Sequence, residues 1–268
     1  MLRYLNLIKN IANWHLHFLI KLGMTKDDPL VFIARNNIIF EVPKRLHHEF
    51  KEIFLENAYS IGLRKKLRKN PTIIDIGANV GFFTMFAASK YPNCTVYAYE
   101  PIESNFRQLQ KNKELNSTNK IHCFNKALCG HRGTIKIRFD AADSFTTSAT
   151  ILNTTENEDK LSKTKQYENI KAIEVPCLRL FDVFEEHKID RCDLLKLDCE
   201  GAEYEVLYNA PEEVLSNIDQ MAIEVHEGKG SNENLLSLKK FLTTCHFELF
   251  QFVDKPHMLW AYRDRSRQ

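Results

Sequence analysis

Glycine is scarce in this chain, which contains nine glycines among 268 residues. That frequency excludes a collagen-like protein and a glycine-rich low-complexity protein. Two of the nine, Gly77 and Gly81, lie close together after an apolar run. Because glycine adopts backbone conformations that other residues rarely adopt, we expect a functional turn at these two positions.

The chain also lacks a charge imbalance and a long apolar run. Lys and Arg total 37 and Asp and Glu total 35, which gives a net charge of +2. This balance provides no broad phosphate-binding face, so a nucleic-acid partner is not expected. Charged residues or histidine interrupt every apolar stretch before it reaches the roughly 18 residues of a membrane span. The composition is that of a globular domain.

The seven cysteines form no C-x-x-C pair, and this absence argues against a zinc ribbon and a redox dithiol. Most of them lie within apolar runs, where a buried and reduced thiol is expected. The N-terminal segment has no small-residue cleavage site of the kind that ends a secretory signal. These features predict a reducing, cytoplasmic location.

Residues 1–22 contain Arg3, Lys9 and Lys21 but no acid, and their apolar residues recur at helical spacing. This pattern predicts an amphipathic basic helix. Two interpretations stay open: a helix packed on the domain that follows, or a helix lying on a membrane surface as a peripheral contact.

A hairpin over residues 29–42, with its turn at Arg35 to Asn37, and a helix from about His47 to Lys69 are predicted next. Together with the first helix they form an N-terminal accessory region, residues 1–69. Asn70-Pro71 ends this region, because proline disfavours the helical conformation of the residue that precedes it.

From residue 70 to residue 268, apolar strands alternate with helices. Strands are predicted over residues 72–76, 95–99, 121–125, 134–139, 172–177, 193–197, 220–225, 247–252 and 257–262. The βαβ order implies a Rossmann-like α/β domain with a mostly parallel sheet and helices on both faces. A polar stretch from Asp140 to Lys171 interrupts the alternation, and its length predicts a lid over an acceptor.

The most informative segment is a strand, a turn and the start of a helix, Ile73-Ile74-Asp75-Ile76-Gly77-Ala78-Asn79-Val80-Gly81-Phe82. The N–H groups of such a turn face the space above the sheet. The dinucleotide pattern G-x-G-x-x-G needs glycine at the positions of Asn79 and Phe82, so NAD and FAD do not fit. The turn matches the D-x-G-x-x-x-G pattern used for S-adenosylmethionine, and Asp75 is expected to help hold the cationic end of that cofactor.

Glu100, which Pro101 follows, ends the next predicted strand. An acid at this position can accept hydrogen bonds from two ribose hydroxyls, in NAD and in S-adenosylmethionine alike. The alternative is an exposed carboxylate at a strand end.

Two later strands also end in acidic residues. Asp198 and Glu200 follow one apolar strand, and Glu224 and His226 close the next. Ligands bind outside the carboxyl ends of parallel strands, so we expect these residues to open into the same crevice as the turn. Asp198, Glu200 and His226 are the candidates for removing a proton from an acceptor.

Other interpretations of these residues stay open. Asp198, Glu224 and His226 would also suit an oxygen and nitrogen metal site, but no dense ligand motif requires one, and no metal is predicted. Glu224 lies inside an apolar run, so it either pairs with Lys196 or faces the site. Glu203 is either a site residue or an acid in the first turn of a helix.

Several of these motifs together resemble the FkbM family of S-adenosylmethionine-dependent methyltransferases. The motifs are DIGANVGFFT from Asp75, YEP from Tyr99, NKALCGHRGTI from Asn125, VPCLRLFDVF from Val175 and LLKLDCEGAEYEVL from Leu194. The resemblance implies a class I methyltransferase fold, with a mostly parallel seven-stranded sheet whose last strand is reversed. It also implies that S-adenosyl-L-methionine is the cofactor and that hydroxyl groups of sugars and secondary metabolites are methylated.

The resemblance implies site roles as well. The turn is expected to hold the methionine part of the cofactor, Glu100 the ribose, and the stretch from Asn125 to Leu128 the adenine, while Asp198 and Glu200 lie where donor meets acceptor. The predicted cofactor-binding residues are Asp75, Gly77, Ala78, Asn79, Gly81, Phe82, Glu100, Pro101, Ala127 and Asp198.

The sequence therefore predicts an O-methyltransferase that acts on a hydroxyl group of a sugar, glycan or glycosylated metabolite. The first alternative is N-methylation of a peptide or small amine, against which the absence of an N-P-P-Y tetrapeptide argues. The second is a non-catalytic scaffold that binds S-adenosylmethionine, against which the acids at three strand ends argue. The sequence predicts neither the acceptor's identity nor the oligomeric state.

Overall fold

The computed structural model describes residues 2–117, 120–140, 145–146, 150–152 and 170–264. Its strands are β1 (Leu30–Ile33), β2 (Ile39–Val42), β3 (Thr72–Ile76), β4 (Thr95–Tyr99), β5 (Ile121–Phe124), β6 (Ala127–Leu128), β7 (Gly133–Asp140), β8 (Thr150–Leu152), β9 (Ile170–Leu178), β10 (Leu194–Leu197), β11 (Gln220–Glu224), β12 (Glu248–Phe250) and β13 (Met258–Tyr262). Its α-helices are α1 (Leu2–Asn10), α2 (His15–Lys21), α3 (His47–Phe54), α4 (Phe82–Lys90), α5 (Glu103–Glu114), α6 (Leu180–His187), α7 (Glu203–Tyr208), α8 (Glu212–Ser216) and α9 (Leu235–Thr244).

The central sheet has seven described strands in the order β12-β13-β11-β10-β3-β4-β5. The neighbours from β11 to β5 run parallel, and β13 is antiparallel to both β11 and β12. β13 is therefore the reversed strand that the family resemblance implies. The predicted α/β fold, with a mostly parallel seven-stranded sheet, is confirmed.

β3 shows why both faces of this sheet are covered. Ile73 and Ile74 are both 0% exposed, and successive residues of a strand point to opposite faces. Ile73 packs in the apolar cluster that contains α4 and the N-terminal region, whereas Ile74 packs in the cluster that contains α6, α7 and α9. Burial on both faces explains the continuous apolar sequence of β3.

The N-terminal region packs on the domain and shares its core. Leu7, Phe40 and Phe54 are buried in the same cluster as Ile73 and Trp260. The predicted hairpin is confirmed as β1 and β2. The boundary predicted after residue 69 therefore divides one packed core.

The helix predicted over residues 1–22 is two helices, α1 and α2. The chain between them turns to pair with the hairpin, because Ile11 forms a β-bridge with Ala34 and the N–H of Ala12 donates to the carbonyl of Ile33 (2.7 Å). The helical spacing of the apolar residues continues across this break, so the sequence pattern did not reveal it.

The helix predicted to reach residue 69 ends at Phe54 instead. Asn57 has a φ of 54°, which a right-handed helix does not allow. Further along, the N–H groups of Arg64 and Lys65 donate to Oε1 of Gln220 (2.9 and 2.8 Å). Arg64 and Lys65, which the predicted helix would have contained, are thus tied to β11 through their backbone N–H groups.

A second sheet has the order β6-β9-β7-β8. The strand predicted over residues 172–177 is β9, and it pairs antiparallel with β7 instead of entering the central sheet. The predicted lid, Asp140 to Lys171, falls largely outside the described residues. None of the helices in the described ranges is both long and apolar enough to cross a membrane.

Candidate active site

The turn after β3 has the left-handed backbone conformations that its sequence predicts. The φ angle is 72° at Gly77, 51° at Asn79 and 88° at Gly81. A Cβ atom on Gly77 would lie 1.7 Å from the carbonyl oxygen of Asp198. Only glycine therefore lets the turn approach the end of β10, and this contact brings two of the predicted motifs together.

Asp75 lies beneath this turn. Its carboxylate is 0% exposed, accepts a hydrogen bond from Oγ1 of Thr84 (2.6 Å) and lies 3.3 Å from Nζ of Lys196. A direct contact between Asp75 and the cationic end of a cofactor, as the sequence predicted, does not fit this burial. The carboxylate instead joins β3 to α4 and β10, under the turn.

A first cleft opens beside the turn, at the carboxyl ends of β3 and β4. Its volume is about 660 Å³ with its mouth included. Polar groups of the turn and of Glu100 line part of it, and the apolar side chains of Ala127, Leu128, Ile135 and Ile137 line another part. This mixture suits a ligand that has both a polar chain and an aromatic ring.

Two buried amide oxygens in the first cleft have no hydrogen-bond partner among the described residues. They are Oδ1 of Asn79 and Oδ1 of Asn105. Asn105 is 2% exposed, and its Nδ2 donates to the carbonyl of Thr146 (2.8 Å). A buried acceptor without a donor costs free energy, so both positions fit a ligand that brings N–H or O–H groups.

Glu100 lies in the first cleft and holds the turn. Its Oε2 accepts a hydrogen bond from the N–H of Asn79 (2.8 Å), and its Oε1 accepts one from the N–H of Ile102 (2.9 Å). Burial raises the pKa of Glu100 to about 7, against the opposing effect of these two N–H groups. Each carboxylate oxygen has more than one lone pair, so Glu100 can accept further hydrogen bonds from a ligand.

A second, larger cleft adjoins the first and extends to the N-terminal region. Its volume is about 1350 Å³ with its mouth included. Gly77, Asn79, Asp198 and Glu200 line both clefts. The two clefts therefore meet at the turn and at the acidic end of β10.

Tyr59 of the N-terminal region lies in the second cleft between two acidic strand ends. Its hydroxyl oxygen is 2.7 Å from Oδ2 of Asp198 and 2.9 Å from Oε2 of Glu224. Burial, together with the charges of these two carboxyl groups, raises the pKa of Tyr59 well above its usual value. Burial and the charge of Asp198 also raise the pKa of Glu224.

Lys196 neutralises carboxylates behind the turn. Its Nζ donates to the carbonyl of Gly77 (2.6 Å) and lies 3.5 Å from Oδ2 of Asp198. Burial by itself lowers the pKa of Lys196, but Asp75 and Asp198 outweigh it and the pKa lies above its usual value. Of the two interpretations for Glu224, the structure favours the second, because Glu224 faces the cleft and hydrogen-bonds Tyr59.

Glu200 lies where the two clefts meet. Its backbone has a φ of 53°, and its side chain is 30% exposed. Burial raises the pKa of Glu200 to about 7, although the charge of His226 opposes this effect. A carboxylate with this pKa can accept a proton at neutral pH, as a general base must.

His226 is paired with acids on two sides. Its Nδ1 lies 2.9 Å from Oε1 of Glu203, and its Nε2 lies 3.7 Å from Oε2 of Glu200. Burial by itself lowers the pKa of His226, but the hydrogen bond to Glu203 and the charges of Glu203, Glu200 and Asp198 raise it to about 9. An imidazolium cannot accept a proton at neutral pH, so the predicted role of His226 as a base does not fit.

Glu203 is a structural residue of this loop. It is 0% exposed and accepts hydrogen bonds from the N–H groups of Cys199 and Gly201 (3.0 Å each) as well as from His226. Two groups of described residues have potential metal-ligand atoms within 4.8 Å of one another, and the group at this site contains Glu200 rather than the predicted Glu224, with Asp198 and His226.

The other predicted cofactor residues divide between the clefts. Those that line the first cleft are Gly77, Asn79, Glu100, Pro101, Ala127 and Asp198. Ala78 and Phe82 line the second. Gly81 caps the N-terminus of α4 and, among the described residues, lines neither cleft.

Sequence reasoning missed several residues of the clefts. Ile135 and Ile137 alternate along a predicted strand, a pattern that indicates one buried face but not the cleft behind it. Asn105 occupies the first turn of α5, where an amide is ordinary. Tyr59 lies in a segment with no motif, and no signal in the sequence could have placed it at the site.

A family comparison decides what kind of enzyme carries this site. The family model described as "Methyltransferase FkbM domain" matches residues 75–255. The chain belongs to the FkbM methyltransferase family. It is accordingly an S-adenosylmethionine-dependent methyltransferase. The matched range includes the turn and the three acidic strand ends, and it excludes Tyr59.

Named relatives of this FkbM-family chain agree with that class. "Methyltransferase 1" of Beauveria bassiana is 28% identical over 237 residues, which cover 82% of this chain and 92% of the relative. "31-O-demethyl-FK506 methyltransferase FkbM" of Streptomyces tacrolimicus is 29% identical over 209 residues, which cover 70% of this chain and 78% of the relative.

A solved structure supports the fold of this FkbM-family chain. The methyltransferase FkbM of Methylobacillus flagellatus KT matches with a TM-score of 0.50 at 13% sequence identity. The match covers 82% of this chain and 54% of that one. This chain therefore spans about half the length of that solved protein, and at this identity the match concerns the fold alone.

Proposed function

We propose that this methyltransferase transfers the methyl group of S-adenosylmethionine to a hydroxyl group of a sugar, glycan or glycosylated metabolite. The observation that carries the proposal is the junction of two clefts at Gly77, Asn79, Asp198 and Glu200. Methyl transfer requires the acceptor oxygen to approach in line with the bond that breaks. Two clefts that share one rim can hold donor and acceptor separately and let their reacting atoms meet there.

In this proposal the first cleft holds the cofactor, which supplies an electrophilic methyl group when bound. Gly77 and Asn79 contact its methionine part, Glu100 accepts hydrogen bonds from its ribose, and Ala127 packs near its adenine. The partnerless amide oxygens of Asn79 and Asn105 accept hydrogen bonds from its N–H or O–H groups. These buried hydrogen-bond acceptors and the apolar side chains of the first cleft are the features that suit this cofactor.

Glu200 accepts the proton that the acceptor hydroxyl loses. Its pKa of about 7 keeps a substantial fraction ionised at neutral pH, and it lines both clefts. Asp198 is less suited, because Tyr59 donates to its Oδ2 and Lys196 lies 3.5 Å from the same atom. Asp198 therefore positions the acceptor or the turn, and His226, as an imidazolium, holds Glu200 in place.

The choice of oxygen and of a sugar rests on two supports. One relative's name, 31-O-demethyl-FK506 methyltransferase, specifies an oxygen as the methylated atom of that protein's substrate. The second cleft is lined by carboxyl groups, which can accept hydrogen bonds from a polyhydroxylated acceptor.

A label-transfer experiment tests the proposal. The purified chain is incubated with methyl-labelled S-adenosylmethionine and a panel of sugars, glycans and lipid-linked saccharides, and each fraction is assayed for label. We expect label in at least one hydroxylated acceptor, loss of transfer in Glu200→Gln and full transfer in Glu227→Gln, an exposed neighbouring control. Binding of the cofactor without transfer to any acceptor, in a chain that stays folded, would support a non-catalytic scaffold instead.

One observation favours a second candidate, N-methylation of an amine. Seven carboxyl groups line the second cleft, belonging to Glu49, Glu52, Glu56, Asp198, Glu200, Glu224 and Asp254. Burial raises the pKa of Glu52, and the charges of neighbouring acids add to this effect. Such a cleft attracts a cation, as a protonated amine would be.

The two candidates differ in the atom that receives the label. We would add peptides and small amines to the acceptor panel and locate the methyl group in the product by NMR. A methyl group bonded to nitrogen supports the second candidate and contradicts the first. A methyl group bonded to oxygen, on an acceptor that also carries an amine, reconciles the acidic cleft with the proposed O-methylation.

A further inference from the structure

Large apolar side chains that face solvent concentrate at one end of the described chain. Among the described residues, six of the eleven exposed large hydrophobics lie between residues 2 and 24: Leu2, Leu5, Ile8, Trp14, Leu22 and Met24. We call these six residues the N-terminal apolar surface. Single exposed apolar residues are common on proteins, whereas exposed apolar residues that are neighbours on one face mark a surface that binds a partner.

The helix α1 is packed against the domain on one face and leaves apolar residues exposed on another. Its Leu7 is 0% exposed, so one face is already packed against the domain. Nδ2 of Asn6 donates to the carbonyl of Leu55 (2.8 Å), and Nδ2 of Asn10 donates to the carbonyl of Phe54 (2.7 Å). These bonds fix the rotation of α1, and the remaining apolar residues stay directed to solvent. Leu5 and Ile8, 47% and 51% exposed, are neighbours on that second face.

The same segment carries positive charge and no negative charge. Arg3, Lys9, Lys21 and Lys26 are exposed, and the first acid of the sequence is Asp27. The whole chain is nearly balanced, with a net charge of +2. The positive charge around the N-terminal apolar surface is therefore a local feature.

We infer that the N-terminal apolar surface binds an anionic lipid bilayer. Exposed apolar residues beside basic ones are typical of helices that lie in the membrane interface, where the apolar side chains enter the acyl boundary and the cations meet the headgroups. Trp14 adds a side chain that prefers this boundary. A free phosphate or a soluble acidic partner would satisfy the lysines but would leave the six apolar side chains in water.

The position of α1 links this surface to the second cleft. Its partners Phe54 and Leu55 are adjacent in the chain to Ile53 and Glu56, which line that cleft. Binding to a bilayer would thus hold the wall of the second cleft near lipid. An acceptor that is linked to a lipid could then reach the second cleft from the bilayer. This consequence rests on the proposed function, whereas the binding to a bilayer does not.

Vesicle co-sedimentation of the full chain tests the inference. Vesicles of phosphatidylcholine mixed with phosphatidylglycerol are compared with vesicles of phosphatidylcholine alone. We expect binding to the anionic vesicles that is roughly tenfold tighter than to the neutral ones, and that weakens with added salt. The double variant Leu5→Ser, Ile8→Ser and the single variant Lys9→Glu should each lose about tenfold in affinity.

Matched controls come from exposed residues elsewhere. Leu236 and Val253 are 78% and 100% exposed, and Lys240 is exposed on α9. The double variant Leu236→Ser, Val253→Ser and the single variant Lys240→Glu should bind anionic vesicles as the parent chain does. Unfolding temperatures of all variants are measured to show that each remains folded.

Three results would overturn the inference. The first is an absence of binding to anionic vesicles, and the second is an equal loss of binding in the control variants. The third is self-association of the parent chain in light scattering that disappears in Leu5→Ser, Ile8→Ser, with no vesicle binding, because a second copy of the chain would then cover the surface. Cofactor binding measured in parallel separates these results from a failure of the proposed function.

Discussion

The hydroxyl oxygen of Tyr59 lies 2.7 Å from Oδ2 of Asp198, although Tyr59 precedes the family range of residues 75–255. The same oxygen lies 2.9 Å from Oε2 of Glu224. The hydroxyl has one hydrogen, so both contacts are hydrogen bonds only when one carboxyl group carries a proton. Glu224 is the carboxyl suited to carry it, since burial and the charge of Asp198 raise its pKa.

Removal of this hydroxyl should impair turnover more than cofactor binding. In Tyr59→Phe the two carboxyl groups lose their shared partner, and a buried polar group without a partner costs about 1–3 kcal/mol. We expect kcat to fall about tenfold, with an unchanged KM for S-adenosylmethionine. Steady-state kinetics at saturating acceptor measures both quantities. The control Tyr262→Phe removes a similar bond to Glu248 (2.8 Å) and should keep the parent kcat; an equal loss in both variants would refute the role given to Tyr59.

The pH dependence of turnover should report Glu200. Its pKa is raised by burial to about 7, and a base acts in its ionised form, so kcat at saturating substrates should rise as pH increases through about 7. Glu200→Gln should lose about 100-fold or more in kcat and lose this dependence. A variant that keeps the rising limb would assign the base to another group.

Glu100 and Asn105 should govern cofactor affinity. Glu100→Gln keeps the shape of the side chain but removes the charge and one acceptor oxygen. Asn105→Ala removes an amide whose Oδ1 has no hydrogen-bond partner among the described residues. We expect each to weaken binding of S-adenosylmethionine about tenfold in calorimetry. The control Glu103→Gln alters an exposed ion pair with Arg107 and should leave the affinity unchanged. Parent-like affinity in both variants would show that the first cleft is not the cofactor site.

The close approach at Gly77 should make it intolerant of any side chain. In Gly77→Ala, the φ of 72° is strained and the new Cβ would lie 1.7 Å from the carbonyl oxygen of Asp198. Gly23→Ala is a matched control, because Gly23 has a φ of 66° and a Cβ added there would meet no atom of the described residues within 4 Å. We expect a stability loss of about 1 kcal/mol for Gly23→Ala and at least about 3 kcal/mol for Gly77→Ala in urea unfolding. Equal losses would mean that the clash at Asp198 has no role.

The ion pairs of His226 should stabilise the fold in a defined pH window. Its pKa rises from 6.5 to about 9 on folding, so the stabilisation is complete below about pH 6.5 and is lost as pH rises through about 9. The difference in unfolding free energy between the parent chain and His226→Gln should be at most about 3 kcal/mol at pH 6 and should shrink towards pH 10. A difference that grows with pH would contradict a protonated His226.

The sequence predicted those parts of the fold that local patterns determine. The apolar run of β3 and the positive φ of Gly77 and Asn79 follow from residue type, because only certain residues suit a doubly buried strand or a left-handed turn. The break between α1 and α2 was not predictable, since it depends on a bridge between Ile11 and Ala34, which are distant in the sequence.

The sequence predicted which acidic residues lie at the clefts, but not their protonation. Glu100, Asp198 and Glu200 lie at the clefts because the carboxyl ends of parallel strands share one edge. The charge of His226 depends on Glu203, a neighbour across a loop whose burial the sequence did not reveal. Tyr59 escaped prediction because a tertiary contact, rather than a motif, brings it to the strand ends.

The decisive comparison for O-methylation with Glu200 as its base is between two products, in the parent chain and in Glu200→Gln. The amount of S-adenosylhomocysteine released is measured beside the amount of methyl group found on acceptor oxygen by NMR. We expect equal amounts of the two products in the parent chain, and neither product in Glu200→Gln while that variant still binds S-adenosylmethionine. A methyl group found on nitrogen alone would contradict O-methylation, and equal turnover by the two proteins would contradict the role of Glu200.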